Sequence, residues 1–332
     1  MRDVAQEAGV SVMSVSRVIN GEPGVGPEAT ARVERAIRRI GYQRNDVARN
    51  LRRNAAGTQT VGLLIDDLAD PFFAALASAV EDQARVRGYL VLIGSSGDDP
   101  RRERQAVQAF CSRRVDGMVL VPVGGSHKFL GAELDRGTKV VCVDRPAEQL
   151  EVDTVVVNNR NGAVHATDHL LAHGHRRIGY LGDRPEIWTV KQRYTGFCDA
   201  LAAAGLEPDP RLVRHGLRTR EDASAAVRQI MALPDPPTAF FTSNDVMSVG
   251  VLSGLGPSRE RVALVGFDDF TLADHMVPAV TVVAQDPAAL GATAAQLLFA
   301  RIDGDTSAPR EVVLLTRLIP RGSGEIAPPT VA

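Results

Sequence analysis

The stretch DVAQEAGVSVMSVSRVIN, residues 3–20, is typical of two short helices joined by a tight turn. Gly9 supplies the permissive backbone that the turn needs, and Ser11 can cap a second helix over residues 12–20. One apolar seam lets the two helices pack together, through Val4, Ala5, Ala8, Val10, Val15, Val18 and Ile19. A third helix, residues 27–40, is predicted to pack behind them through Ala31, Val33, Ala36, Ile37 and Ile40. The pattern predicts an all-α helix-turn-helix headpiece.

The outer face of the second helix suits the major groove of DNA. Five side chains remain free to face outward: Val12, Met13, Ser14, Ser16 and Arg17. Serine hydroxyls can reach phosphates, and an arginine can donate two hydrogen bonds to guanine. The charge distribution agrees, because residues 1–58 hold ten Arg or Lys and six Asp or Glu, whereas the rest of the chain holds 28 and 34. A basic end on an acidic body indicates a polyanionic partner at that end, which we expect to be double-stranded DNA.

From residue 61 onward, short apolar runs alternate with helical stretches. The runs are 61–65, 90–93, 118–121, 140–143, 154–157, 178–181, 239–242, 262–266 and 281–284. Unbroken Val, Ile and Leu runs are typical of parallel strands that helices cover on both faces. The alternation over more than 200 residues predicts a doubly wound α/β architecture of parallel sheets.

Polar residues follow these predicted strands, at the edge where ligands bind in doubly wound folds. They are Asp66, Asp67 and Asp70 (with Phe72 and Phe73 nearby), Asp144, Arg145, Ser243, Asn244, Asp245, Asp268, Asp269 and Gln285. Carboxylates accept hydrogen bonds from hydroxyls, amides both donate and accept, and a flat ring can stack on a sugar face. The set predicts a small polar ligand with many hydroxyls. Asp245 is expected to cap the following helix, from Val246, rather than to contact the ligand.

Several other classes of protein find no support in the sequence. The chain of 332 residues has no apolar run long enough to cross a membrane and no signal peptide at its start, so we expect a cytoplasmic protein without a membrane partner. Four histidines, His165, His169, His173 and His175, lack a cysteine or carboxylate at metal-site spacing, so no metal is predicted. GSSG, residues 94–97, lacks the lysine of a phosphate-binding loop, and no GxSxG motif is present. We expect no cofactor and no enzymatic activity.

The stretch DVAQEAGVSVMSVSRVINGEPGV, continued by RVERAIRRIGYQRNDVARNLR, resembles the headpiece of the LacI/GalR (lactose-repressor) family over residues 2–53. The resemblance implies base contacts by Val12, Met13 and Arg17, and backbone contacts by Ser14, Ser16 and Asn20. It extends the predicted DNA-binding set to Tyr42, Asn45, Ala48 and Leu51. Gly26 and Ala29 depart from the family, which usually carries hydroxyl residues there, and this departure is expected to weaken DNA affinity.

Residues 45–53 resemble the hinge helix of the same family. Asn45 or Asp46 can cap a short helix, and Ala48 is small enough for two such helices to pair. The resemblance implies that Leu51 is a wedge inserted between base steps in the minor groove. The alternative is that Leu51 packs on the body as a linker leucine. Residues 54–60 read as a linker.

The body resembles the two-lobed sensor of the family, which shares its fold with periplasmic sugar-binding proteins. The matching motifs are HLLAHGHRRIGYLGD, RYTGF, TSNDVMSVG, VALVGFDDF and TVVAQDP. The resemblance implies that the effector is contacted by Asp144, Arg193, Asn244, Asp268 and Gln285, with Asp70 nearby and Phe72, Phe73 and Trp188 as stacking walls. For Arg193 and Asp268 the alternative is a structural ion pair, and for the three aromatic residues it is core packing.

These features predict four segments: a headpiece (1–44), a hinge helix and linker (45–60), an effector-binding and dimerisation domain (61–322) and a tail (323–332). The chain is expected to cross between lobes near 145–158, 284–288 and 316–322. The predicted function is a ligand-responsive repressor of carbohydrate-utilisation genes. It would bind a palindromic operator as a homodimer and a sugar or sugar derivative between its lobes. The alternatives are a free sugar receptor, which would need an export signal, and an α/β enzyme such as a kinase or dehydrogenase.

Overall fold

The computed structural model describes residues 1–42, except the side chain of Asn20, and residues 57–329. The chain forms two compact units that meet between Thr58 and Gln59. The first unit is the headpiece, and we call the second the sensor unit. The described part of the headpiece contains α1 (Arg2–Ala8), α2 (Val12–Asn20) and α3 (Pro27–Ile40).

The headpiece helices form where the sequence predicts them. Gly9 ends α1 with a φ of 63°, a left-handed conformation that glycine adopts without a steric penalty. The Ser11 side chain accepts a hydrogen bond from the amide of Ser14 at 3.0 Å and so caps α2. The predicted seam is confirmed, since the small core comprises Val4, Ala5, Ala8, Val15, Val33 and Ala36, with Val10, Val18, Ile19, Ile37 and Tyr42 packed against it. Ile40 is a correction: this last residue of α3 is 42% exposed and does not belong to the core.

The sensor unit contains twelve described strands. They are β1 (Thr60–Ile65), β2 (Leu90–Ser95), β3 (Gly117–Leu120), β4 (Lys139–Val143), β5 (Asp153–Val157), β6 (Ile178–Leu181), β7 (Val213–Arg214), β8 (Ala239–Thr242), β9 (Ala263–Phe267), β10 (Thr281–Ala284), β11 (Glu311–Leu314) and β12 (Arg317–Ile319). The α-helices among them are α4 (Pro71–Val86), α5 (Pro100–Ser112), α6 (Gly131–Asp135), α7 (Asn159–Ala172), α8 (Trp188–Ala203), α9 (Arg220–Met231), α10 (Asp245–Leu255) and α11 (Pro287–Ile302). Short 3₁₀ turns occur at Lys128–Leu130, Gly256–Glu260 and Ala273–His275.

The strands form two six-stranded sheets with matching order. One sheet runs β11-β5-β4-β3-β1-β2 and the other β12-β10-β9-β8-β6-β7. Each central strand is buried along its length, which explains the unbroken apolar runs of the sequence. All described pairings are parallel except that of β12 with β10, which is antiparallel. The predicted doubly wound architecture is therefore confirmed, in two lobes.

Lobe 1 comprises residues 59–157 and 286–314, and lobe 2 comprises residues 158–285 and 315–329. The chain crosses between them after β5, between β10 and α11, and between β11 and β12. The third crossing lies at residues 315–316, at the start of the predicted range.

Residues 323–329, predicted to be a tail, are held against lobe 2. Ser323 donates a hydrogen bond to the carbonyl of Leu264 at 2.6 Å. Glu325 accepts a hydrogen bond from Thr281 at 2.9 Å and contacts His169. Two of the four histidines that were considered as metal ligands thus hold this segment, since His175 also bonds to the carbonyl of Ile326 at 2.7 Å.

None of the helices in the described residues is long and apolar enough to cross a membrane.

Candidate ligand cleft and nucleic-acid interface

The outer face of α2 is the candidate DNA-reading surface of the headpiece. Val12 is 44% exposed and Met13 is 67% exposed, although both are apolar. Arg17 is exposed one helical turn later, and its guanidinium lies close to Gly24. Met13 and Arg17 share one helix face and Val12 is exposed beside Met13, so this surface can contact thymine methyl groups and a guanine edge in one groove.

The other predicted DNA-binding residues are less exposed or lie outside the described residues. Ser14 is half-buried, and its hydroxyl lies 2.9 Å from that of Ser11. Ser16 is also half-buried, and Tyr42 packs against the headpiece core. Of Asn20 only the backbone, at the end of α2, is described. Asn45, Ala48 and Leu51 lie outside the described residues.

The N-terminus of α3 lies where Gly26 and Ala29 depart from the residues that are usual in the family. Gly26 precedes the helix, and no side chain caps it. Instead, the Thr30 hydroxyl donates a hydrogen bond back to the carbonyl of Gly26 at 3.2 Å. The first amides of α3 therefore remain open to water or to a phosphate.

A cleft of about 460 Å³ lies between the carboxyl ends of the two sheets in the sensor unit. Eight of the nine predicted effector residues line it: Asp70, Phe72, Phe73, Asp144, Arg193, Asn244, Asp268 and Gln285. Residues from both lobes meet there because the strands of each sheet point toward the same edge. A second cavity, of about 420 Å³, adjoins it and shares Phe72, Asp245, Asp268 and Gln285.

Arg193, on α8, is the central cation on the lobe 2 side. The side chain is 4% exposed and donates to Asn159 at 2.8 Å, to Asp268 at 3.1 Å and to the carbonyl of Ser243. The guanidinium carbon also lies 3.7 Å from the centre of the Phe267 ring. All these partners belong to lobe 2, so Arg193 is fixed in position within its own lobe.

Asp268 and Gln285 complete this side of the cleft. Burial raises the pKa of Asp268, and the neighbouring Arg193 opposes that rise. The Gln285 amide donates to the other carboxylate oxygen of Asp268. The Gln285 Oε1 atom is buried and has no hydrogen-bond partner among the described residues. The site therefore offers an unused acceptor to a ligand donor.

Arg145, directly after Asp144, is the corresponding cation on the lobe 1 side. It is 7% exposed and lies 3.1 Å from Asp144, 3.5 Å from Asp66 and 3.4 Å from Asp98. Burial raises the pKa of Asp66, and Arg145 counteracts the rise. Three carboxylates surround one guanidinium, so this side of the cleft presents acceptors rather than free positive charge.

The helix caps at the cleft correct one prediction. Asn244, not Asp245, caps α10, since its side chain accepts from the amide of Met247 at 2.9 Å. Asp245 is the first helical residue and lines the cleft. Asp70 likewise caps α4, accepting from the amide of Phe72 at 2.8 Å. Both predicted ligand contacts, Asp70 and Asn244, therefore already bond their own helices.

Asp70 and Asp245 project into the cleft from opposite lobes. Burial and, to a smaller extent, the charge of Asp245 raise the pKa of Asp70 to about 7. Burial also raises the pKa of Asp245 to about 6, with the charge of Asp268 adding to the effect. No lysine or arginine among the described residues forms an ion pair with either one, and the charge of Asp245 disfavours the charged form of Asp70.

The aromatic residues have unequal positions. Phe72 is half-buried and lines both cavities, whereas Phe73 is 6% exposed and belongs to the lobe 1 core. Trp188 does not line the cleft, which corrects its prediction as a stacking wall. The reason is helical phase: Thr189, Val190 and Arg193 of α8 face the cleft, and Trp188 lies about 140° around the helix from Arg193.

Several cleft residues were not among the predicted effector contacts. They are Asp98, Asp183, Arg184, Thr189 and Arg218. Asp66 and Arg145 also line the cleft, and the sequence placed them only in the wider polar set that follows the strands. Arg184 carries an unpaired polar atom, since its buried Nε has no hydrogen-bond acceptor among the described residues. The cleft thus holds both an unused donor and the unused acceptor of Gln285.

Comparison with known proteins decides the family. Residues 1–45 match the model of bacterial regulatory proteins of the lacI family, and residues 167–324 match a periplasmic binding protein-like domain. The transcriptional repressor CytR of Escherichia coli K12 is 32% identical, over 99% of this chain and 97% of CytR. The chain belongs to the LacI family.

Solved structures extend the comparison. A complex of the transcriptional regulator CelR with cellobiose is 33% identical, covers 97% of this chain and 98% of CelR, and has a TM-score of 0.72. The lac repressor dimer, solved with operator and the anti-inducer ONPF, has a TM-score of 0.84 over 97% of this chain and 98% of that one, at 23% identity. The latter likeness confirms the predicted fold.

Membership of the LacI family assigns the general activity. The chain is a ligand-responsive, DNA-binding transcriptional regulator with a helix-turn-helix headpiece. The prediction that it is not an enzyme is confirmed by its relatives, which are transcriptional repressors.

Proposed function

We propose that this chain represses transcription as a homodimer bound to a palindromic operator, and that a sugar or sugar derivative in the interlobe cleft controls the binding. The carrying observation is the cleft itself, lined by eight of the predicted effector residues at the ends of both sheets. The four predicted segments, with boundaries at 44, 60 and 322, stay part of this proposal. So does a cytoplasmic location.

The chemistry of the cleft supports a polyhydroxylated ligand. Among the described residues, its buried side-chain atoms without a hydrogen-bond partner include a donor, Arg184 Nε, and an acceptor, Gln285 Oε1. A hydroxyl group can serve either one, because it both donates and accepts. The carboxylates of Asp144 and Asp268 add acceptors, and Phe72 offers a ring edge or face at the wall. The complex of the related CelR with cellobiose agrees with a sugar.

The headpiece supports sequence-specific DNA binding. Val12, Met13 and Arg17 are exposed on α2, and Met13 and Arg17 share one face of it, as a recognition helix requires. Residues 45–53 would form the hinge helix, with Leu51 as the minor-groove wedge in a dimer. Ligand that binds one arrangement of the lobes better than another would then shift the equilibrium of DNA binding.

The test is selection of random duplex DNA by the full-length protein, with and without a set of sugars that includes cellobiose. We expect a palindromic consensus with a flexible central step such as CG or CA/TG, and a change in enrichment with one of the sugars. Arg17→Ala should relax the preference at one base position in each half-site, at a cost of about 1–3 kcal/mol.

The matched control is Arg35→Ala, which removes the same charge from an exposed position on α3. It should weaken binding to all sequences alike. A consensus without symmetry would contradict the dimer, and enrichment that no sugar alters would contradict the sugar effector.

A further inference from the structure

The two lobes are joined across the cleft by an ion pair between Asp98 and Arg184. Asp98 follows β2 and lies in lobe 1, whereas Arg184 follows β6 and lies in lobe 2. Both residues line the cleft. Because both partners belong to the protein, the contact needs no ligand atom to form.

The surroundings of Asp98 make this contact more than an ordinary surface ion pair. The Asp98 side chain is 9% exposed, and it also faces Arg145 of its own lobe at 3.4 Å. The alternative carboxylate for Arg184, Asp183, lies 3.8 Å away, beyond hydrogen-bond distance. A half-buried pair of this kind is screened less by salt than exposed pairs are. Arg184 therefore gains its main partner only when the lobes are close together.

Elsewhere in the cleft, a pair of residues from the two lobes repels instead of attracting. Asp70 and Asp245 come from different lobes and are both acidic. The adjoining second cavity includes Asp245 but neither Asp98 nor Arg184, so the two pairs lie at different parts of the cleft. One pair favours approach of the lobes and the other opposes it.

We propose that Asp98 and Arg184 form a latch that holds the lobes together at one end of the cleft and so sets the balance between its open and closed arrangements. The inference rests on the proposed function only in taking closure of this cleft as the regulated step. Arg184 then acts on the effector site in two ways: its Nε stays available to a ligand, and its pair with Asp98 sets the geometry of the lobes.

Hydrogen–deuterium exchange of the full-length protein tests the latch without effector or DNA. Arg184→Gln should speed exchange in lobe 1, in residues 96–99, by roughly fivefold, although the substitution is in lobe 2. Asp98→Asn should reciprocally speed exchange in residues 182–187 of lobe 2. Arg184→Lys keeps the charge and should restore slow exchange in both segments.

The matched control is Arg160→Gln, which breaks an exposed ion pair with Asp199 inside lobe 2 and removes the same charge. It should leave residues 96–99 unchanged. Circular dichroism and thermal melting of each variant establish that it is folded. Exchange that changes only in the substituted lobe, or in neither lobe, would overturn the latch. Failure of the latch would not change the result of the DNA selection that tests the proposed function. The latch and the proposed function can therefore fail separately.

Discussion

Asp144 in lobe 1 and Asp268 in lobe 2 occupy matching positions, yet each pairs with an arginine from a different part of the chain. Each aspartate follows the fourth strand of its sheet, each has a φ of 71°, and each amide bonds the neighbouring strand at 2.9 Å. In lobe 2 the arginine comes from helix α8, as Arg193. In lobe 1 it is Arg145, the next residue along the chain.

This difference determines what each arginine can reach. Arg193 meets one carboxylate and is otherwise bonded to neutral oxygens of its own lobe. Arg145 meets three carboxylates, one of which, Asp98, also contacts Arg184 of the other lobe. Lobe 2 therefore presents a self-contained site, and lobe 1 presents a charged network that continues across the cleft.

The largest expected effect comes from removing the lobe 1 arginine. Arg145→Met should lower the free energy of unfolding by roughly 3–5 kcal/mol, because it leaves buried carboxylates without their cation. The loss should shrink at lower pH, because burial raises the pKa of Asp66 and this carboxylate can then take up a proton. Urea denaturation at two pH values measures both quantities.

Arg193→Met is the comparison variant. It should also destabilise the protein, but by less, since Asp268 keeps its hydrogen bond from Gln285. A greater loss in Arg193→Met than in Arg145→Met would show that the contrast between the two lobes has no energetic counterpart.

A smaller effect on the free energy of unfolding is expected from Asp70, which faces Asp245 of the other lobe. The pKa of Asp70 is raised to about 7, whereas an unfolded aspartate titrates near 3.8. The folded state therefore binds more protons between these values, and stability falls as the pH rises from about 4 to 7. Asp70→Asn, which can still cap α4, should remove this decline and be more stable than the parent at pH 8.

Asp67→Asn is a suitable control for this experiment. Asp67 is exposed, lies three residues away and also accepts a local amide hydrogen bond, from Ala69 at 2.9 Å. Urea denaturation curves at pH 5 and pH 8 should show a gain for Asp70→Asn only at the higher pH. Equal gains in both variants would mean that net charge, not the interlobe pair, is responsible.

The sequence predicted every strand that has two neighbours and one edge strand, β2, but it missed the other three edge strands. A strand that lies between two others and is covered on both faces needs apolar residues throughout, and such runs are visible in the sequence. The missed strands are β7, β11 and β12. β11 alternates between exposed and half-buried residues, so no unbroken apolar run marks it. Edge strands have one partner, and their composition is constrained less.

The site was predictable to the same extent. Residues directly after strands, such as Asp144 and Gln285, are placed in the cleft by topology alone. The Asp98–Arg184 pair depends on how two separate lobes approach each other, which no local pattern encodes. The prediction that Trp188 faces the cleft failed for a more local reason. No capping side chain marks where α8 begins, so the sequence does not show which of its residues face the cleft.

The smallest expected effect lies in the loops that follow Asp144 and Asp268. Each loop contains a residue in left-handed backbone geometry, Gln149 with a φ of 60° and Leu272 with a φ of 72°. Leu272 is 60% exposed, so its side chain contributes little packing to offset the strain. Leu272→Gly should raise the free energy of unfolding by about 0.5–1 kcal/mol. Gln149→Gly should gain less, because the Gln149 side chain accepts a hydrogen bond from Ser126 at 2.8 Å. Thermal and urea unfolding of both variants measure the difference, and a loss of stability in Leu272→Gly would show that the leucine makes contacts worth more than the strain of its backbone.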